Sequence, residues 1–416
     1  MNMKLKQLFT YSIASIMLVS TVGISKDVAN AESSVKEETY TELWKDDFNG
    51  TELNQSNWNY ELGSIRGIEQ QHYVNNKENV YQKDGNLVLK ATDRPKTDQY
   101  SNPRDDSRIV KYNSGSIHTN GKKEFLYGKL EIRAKLPKGQ GVFPAFWTLG
   151  NDFTLDGKIA NNQGHGWPAT GEIDITELIG KPSGEINGNN GVYQTLHYGV
   201  GTEDNGKYAG NGTEYKLANG IFNDGYHDFA LDWDKESMKW LVDGKVVRTV
   251  NYADDPTAKA IFNKPQYMQL NLAMGGAWPG EVGDNLNNTE FDVDYVKYSR
   301  NSTQQAEADD YYASAPKIEG SENVVINQGE VPDLLKNIKT QTGNKVDYSI
   351  NDAPMFQSSG GNTEVKLLVN GEANKEKIAD LKPGKYSLYY SAYKNDASPA
   401  DINTKIDRKS VTLEVR

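Results

Sequence analysis

The 416-residue sequence has no cysteine. That excludes disulfides, a thiolate nucleophile, and zinc or iron–sulfur centres held by cysteine. Apolar residues are sparse too, at 36% of the chain with a mean hydropathy of −0.73, which excludes repeated passage through a membrane. Basic charge is in deficit, with 46 Lys and Arg against 57 Asp and Glu. The resulting net charge of −11 argues against binding to nucleic-acid backbones and suits an uncharged partner. No long segment repeats at the helical period. Aromatic residues are plentiful by contrast: 24 Tyr, 11 Phe and 7 Trp are more than a disordered chain carries. The length predicts two compact units, or one large β unit with an appendage.

Residues 1–31 have the pattern of a signal peptide. Lys4 and Lys6 precede an apolar run from Leu8 to Ile24, and Ala29-Asn30-Ala31 has the small-x-small form of a cleavage site. A membrane anchor is the competing reading, disfavoured by the hydroxyl residues that interrupt the run. The expected product is a secreted, extracellular bacterial protein, acting as a monomer without membrane or nucleic-acid partners.

From 40 to 300 short strands alternate with turns. Asp84-Gly85 and Asp243-Gly244 each sit between apolar runs, a hairpin signal. Residues 127–136 (YGKLEIRAKL) alternate at period two, so an all-β sandwich is expected. Residues 301–315 (NSTQQAEADDYYASA) are polar and read as a linker. Residues 316–416 alternate again, as in Val365/Leu367/Val369 and Val411/Leu413/Val415. Their number fits an immunoglobulin-like sandwich, although the Cys and Trp of antibody domains are missing. All seven Trp and all five His lie before residue 300.

The segment carrying the most chemistry is 167–178 (WPATGEIDITEL). On a strand Glu172 and Asp174 share one face, whereas strict alternation would turn Glu177 inward with the isoleucines. One extra residue at Thr176, a β-bulge, returns Glu177 to the face of the other two. Three carboxylates side by side repel, which raises the pKa of at least one. A close carboxyl pair is the working part of a retaining glycosidase. A solvated acidic strand or a calcium patch presents the same residues.

The Glu-x-Asp-x-x-Glu pattern, together with 44–50 (WKDDFNG), 84–87 (DGNL), 127–131 (YGKLE), 144–147 (PAFW), His197-Tyr198, 271–280 (NLAMGGAWPG) and 293–297 (VDYVK), resembles glycoside hydrolase family 16, and its laminarinase (endo-β-1,3-glucanase) branch most. The resemblance implies a concanavalin-like jelly roll cutting β-glucan polysaccharide by double displacement without a catalytic cofactor. Glu172 would be the nucleophile, Glu177 the acid/base and Asp174 their helper. It implies sugar contacts from Trp147, Trp167, Trp278 and His197, and a structural calcium at Asp47, the Gly85 carbonyl and Asp294. Ser116 stands where the family often has Arg, and Thr176 where Met is common. A mixed-linkage β-glucanase, an agarase or carrageenase of the same fold, and a non-catalytic glucan-binding protein are the alternatives. The C-terminal part, lacking Trp, is expected to be a separable spacer whose only sugar platforms are tyrosines such as Tyr389 and Tyr393.

Overall fold

Period-two alternation in the sequence becomes two packed sheets in the structure, a computed structural model that describes residues 38–64, 66–153, 165–182, 188–200, 207–352 and 367–416. The signal-peptide segment lies outside the described residues. Both turn signals hold: Asp84-Gly85 and Asp243-Gly244 adopt positive φ (52° and 76°, 49° and 76°), as a two-residue hairpin turn requires.

One sheet has ten strands and includes Gly128–Lys135, His227–Trp233 and Thr289–Arg300. The other has seven, in the order Lys207–Lys216, Gly191–Val200, Glu172–Glu177, Val142–Gly150, Gln266–Met274, Ser116–His118, Asn59–Tyr60. Between them lies one core. Phe146, Ile173, Leu196, Leu270 and Leu272 from the seven-stranded sheet meet Ile132, Leu231, Trp233, Trp240 and Val296 from the other. Full burial of each such side chain contributes roughly 1.5–3 kcal/mol. The expected mostly-β jelly-roll architecture is what forms.

The expected linker is instead a helix, Ser302–Ser314. Asn301 caps it: its side chain accepts from the Gln304 backbone N–H, and the Gln304 side chain bonds back to the Asn301 backbone. Ala308 and Tyr311 join the core of the sandwich, and the Gln304 amide bonds Asp232 and the Trp233 carbonyl.

Past the helix, the described residues form one five-stranded sheet: Val324–Ile326, Asp407–Val415, Gly384–Lys394, Asn344–Asn351, Leu367–Asn370. Two facing sheets of an immunoglobulin-like sandwich are not found among them. One face of this sheet covers its own core, with Ile350, Leu388, Tyr390 and Leu413. Its other face, through Arg408, and the start of Asp407–Val415 meet the jelly roll. Arg408 donates to the Phe153 carbonyl at 2.6 Å, Asn151 reaches the Ile406 carbonyl at 3.4 Å, and Lys409 pairs with Glu124 at 3.5 Å. Thr39–Arg416 is accordingly one compact unit rather than two beads on a linker. Tyr389 lies buried beneath the Arg408 guanidinium, 4.0 Å from its ring, so it is no sugar platform.

Candidate active site

The bulge is present in the strand Glu172–Glu177. Toward Val142–Gly150, Asp174 faces Trp147 and Thr176 faces Phe146, so Ile175 is the residue without a partner on that side. Toward Gly191–Val200, Asp174 faces Thr195 and Glu177 faces Tyr193, so Ile175 and Thr176 together oppose Gln194. The expectation placed the extra residue at Thr176; the ladder places it across Ile175 and Thr176. Ile173 and Ile175 remain in the core, and the carboxylates of 172, 174 and 177 share the opposite face. The bulge also turns the Asp174 carbonyl into the sandwich, where the indole N–H of Trp240 donates to it at 2.9 Å.

The two glutamates have different surroundings. Glu172 accepts from the Trp167 indole N–H at 3.1 Å and lies 3.8 Å from His197 Nε2. Its side chain is 19% exposed. Burial and the charge of Asp174 raise its pKa, while His197, Arg66 and Trp167 oppose them. Glu177 is buried, and its Oε2 has no hydrogen-bond partner among the described residues. Burial, then Asp174 and Glu172, push its pKa well above the ordinary carboxylate range, with only the Thr195 hydroxyl acting the other way. Asp174, also buried and raised by burial, faces His197 Nε2 across 3.2 Å. Burial alone would lower the pKa of His197, but its hydrogen bond to Asp174 and the charges of Asp174 and Glu172 outweigh that and raise it to about 9. His197 Nε2 thus pairs with Asp174 at 3.2 Å, and its Nδ1 lies 2.6 Å from the Tyr208 hydroxyl.

Of the expected sugar contacts, His197 stands directly opposite Glu172 in the ladder. Trp167 is half-buried beside it, 5.4 Å from the Tyr208 ring. Trp278 is 50% exposed on the loop after Gln266–Met274, propped edge-on by Phe143 and Tyr193. Trp147 is not a platform. It sits mid-strand, 7% exposed, its indole donating to Asn271 Oδ1 at 2.7 Å and its ring covered by the Arg66 guanidinium 4.9 Å away.

Sequence reasoning missed the polar network on this floor. Arg66 grips Glu61 with two bonds of 2.8 and 2.6 Å, and Ser116 Oγ and Gln269 Nε2 donate to the same carboxylate. Ser116 thus leaves no gap: a guanidinium reaches this floor from residue 66. Gln269 and Asn271 could have been found from the sequence, as polar residues alternating with apolar ones in 266–274 (QYMQLNLAM).

Glu172, Asp174 and His197 offer donor atoms within 4.8 Å of one another, the geometry of a metal trio. His197 Nδ1 is taken by the Tyr208 hydroxyl, and its Nε2 faces Asp174 at 3.2 Å. At the calcium positions, Asp47 is paired with Lys45 at 2.5 Å and Asp294 with Arg133 at 3.0 Å, both on exposed side chains. Gly85 occupies the hairpin turn before Asn86–Asp93.

Residues 68–297, more than half of the chain, match the family described as glycosyl hydrolases family 16. Over 274 residues the chain is 35% identical to glucan endo-1,3-beta-glucosidase A1 of Niallia circulans, a match spanning 61% of this chain and 37% of that protein. It is 34% identical over 270 residues to the glucan endo-1,3-beta-glucosidase of Cryptopygus antarcticus, spanning 61% of this chain and 90% of that one. Among solved structures it is similar to the catalytic domain of an endo-1,3-beta-glucanase (laminarinase) from Thermotoga petrophila RKU-1. There the TM-score is 0.52 at 29% identity, covering 64% of this chain and 99% of the other.

Proposed function

The chain belongs to glycosyl hydrolase family 16, and on that premise we propose that it is an exported endo-β-1,3-glucanase that cuts with retention at the anomeric carbon. The asymmetry between the two glutamates supports the assignment of roles. Glu177, with no cation beside it, is the carboxyl that holds a proton, so it protonates the glycosidic oxygen as the bond breaks. Glu172 is raised less far, to about 8, because His197 and the Trp167 indole oppose burial and Asp174, so it is the more readily ionised of the pair and attacks the anomeric carbon. A glycosyl ester forms on Glu172 and the leaving sugar departs as an alcohol. Glu177, now ionised, takes a proton from water, whose oxygen displaces Glu172 from the same carbon. Asp174, paired with protonated His197, keeps the face balanced while charge passes between the glutamates.

No catalytic cofactor takes part in this chemistry. β-1,3-Glucan is the substrate by analogy with the relatives above, all named for that linkage. Export rests on the signal-peptide pattern of residues 1–31. A reducing-sugar assay across laminarin, lichenan, agarose and carrageenan tests the substrate. Fastest release from laminarin is expected, and a preference for either galactan would overturn the linkage assignment.

A further inference from the structure

Outside the edge strand Asn59–Tyr60, where the C-terminal sheet meets the sandwich, lies a cavity of about 860 Å³. Its walls come from both parts of the chain: Asn59, Asn75 and Asn120 on one side, Asn323, Lys385 and Thr412 on the other. Amides and hydroxyls predominate, Lys122 and Lys385 add ammonium donors, Tyr60 adds an aromatic ring, and no carboxylate lines it, in a chain carrying a net charge of −11. Hydrogen-bond donors and acceptors around an aromatic face are the chemistry that recognises sugar hydroxyls and the apolar side of a pyranose ring.

The position of the cavity adds to that chemistry. His118 lines it and also packs edge-on against Tyr267 on the site face, with centroids 6.1 Å apart. A continuous cross-strand row runs from Asp174 through Trp147, Gln269 and His118 to Asn59. Four strand-to-strand steps of ~4.8 Å put the cavity ~19 Å from the catalytic strand. We propose that it is a distal saccharide-binding subsite, holding an uncharged polysaccharide chain several rings away from the bond being cut, with the C-terminal sheet supplying one wall. The proposal rests on the polysaccharide-hydrolase reading above.

Asn75 and Lys385 are both exposed, and one comes from each wall, so replacing them together tests the subsite without disturbing the core. The variant Asn75→Ala/Lys385→Ala is compared with the unmodified full chain on laminaritetraose, too short to reach the cavity from the catalytic strand, and on long-chain laminarin. Loss of one to two hydrogen bonds predicts that kcat/KM on laminarin falls about fivefold or more, while the value on the tetrasaccharide stays within about twofold. Equal rates on laminarin, or an equal loss on both substrates, would overturn the subsite while leaving the catalytic assignment standing. Failure of the unmodified chain to hydrolyse either substrate would overturn the β-1,3-glucanase reading and the subsite with it.

Discussion

Replacing Glu177 with Gln removes a proton donor at almost constant volume, and replacing Glu172 with Gln removes a nucleophile in the same way. Each is expected to lower kcat by about a thousandfold or more with Tm unchanged or raised, because each also relieves carboxylate repulsion. A kcat above roughly a tenth of wild type for either variant would contradict its role. His197 gives a pH prediction. Its folded-state pKa of about 9 exceeds the ordinary histidine value of 6.5, so its stabilising pairing with Asp174 is complete below that ordinary value and is lost as pH rises through about 9. His197→Asn should therefore remove a loss of stability that develops between about pH 6.5 and about pH 9, read as Tm against pH; an unaltered profile would contradict the pairing. These carboxylates were legible because a period-two strand with one bulge leaves few arrangements for three acids. Arg66 and Glu61 were not, because they lie in and beside an irregular loop and meet Ser116 and Gln269 only through the fold. Trp147 was misplaced because nearby Pro144 suggested a loop, whereas both residues lie within Val142–Gly150.

At the scale of elements, the bulged strand depends on the opposite sheet. Trp240→Phe keeps an aromatic ring but removes the indole N–H that the Asp174 carbonyl accepts from, together with part of a fully buried side chain, which should cost about 2–5 kcal/mol. Tm and kcat should fall together, since the same carbonyl sits at the bulge that aims Glu177. A variant with unchanged urea midpoint and rate would show that the bulge holds itself. His165, two residues before Trp167, is anchored: buried Asp152 accepts from Lys264 at 2.8 Å and pairs with His165 at 2.6 Å. Asp152→Ala strands a buried lysine and should cost about 3–5 kcal/mol, measured by denaturant unfolding. The helix Ser302–Ser314 was legible in one respect: Asn301 and Gln304 have capping-box spacing. Its composition concealed it, because only Gln304, Ala308 and Tyr311 turn inward, a stripe too narrow to stand out among polar neighbours.

Across the whole molecule, the C-terminal sheet shares a boundary with the catalytic sandwich instead of hanging from it. Alternation in Gly384–Lys394 revealed the face carrying Leu388 and Tyr390, but sequence alone could not show that Tyr389, on the other face, is covered as well. A chain ending at residue 300 uncovers Trp233 and the core under Ala308 and Tyr311, and loses the Arg408 and Lys409 anchors. At 2–4 °C per kcal/mol, a loss of several kcal/mol predicts a Tm lower by roughly 10 °C or more. Thermal unfolding of residues 39–300 against 39–416 reads this directly, and equal Tm values would restore the picture of a separable spacer.

The division of labour between the glutamates is tested most directly by trapping the intermediate. A 2-deoxy-2-fluoro glucoside of a β-1,3-linked disaccharide with a good leaving group should add one glycosyl unit per chain, and peptide mass spectrometry should place it on Glu172. A label on Glu177 or Asp174, or turnover with inversion and no label at all, would contradict the account.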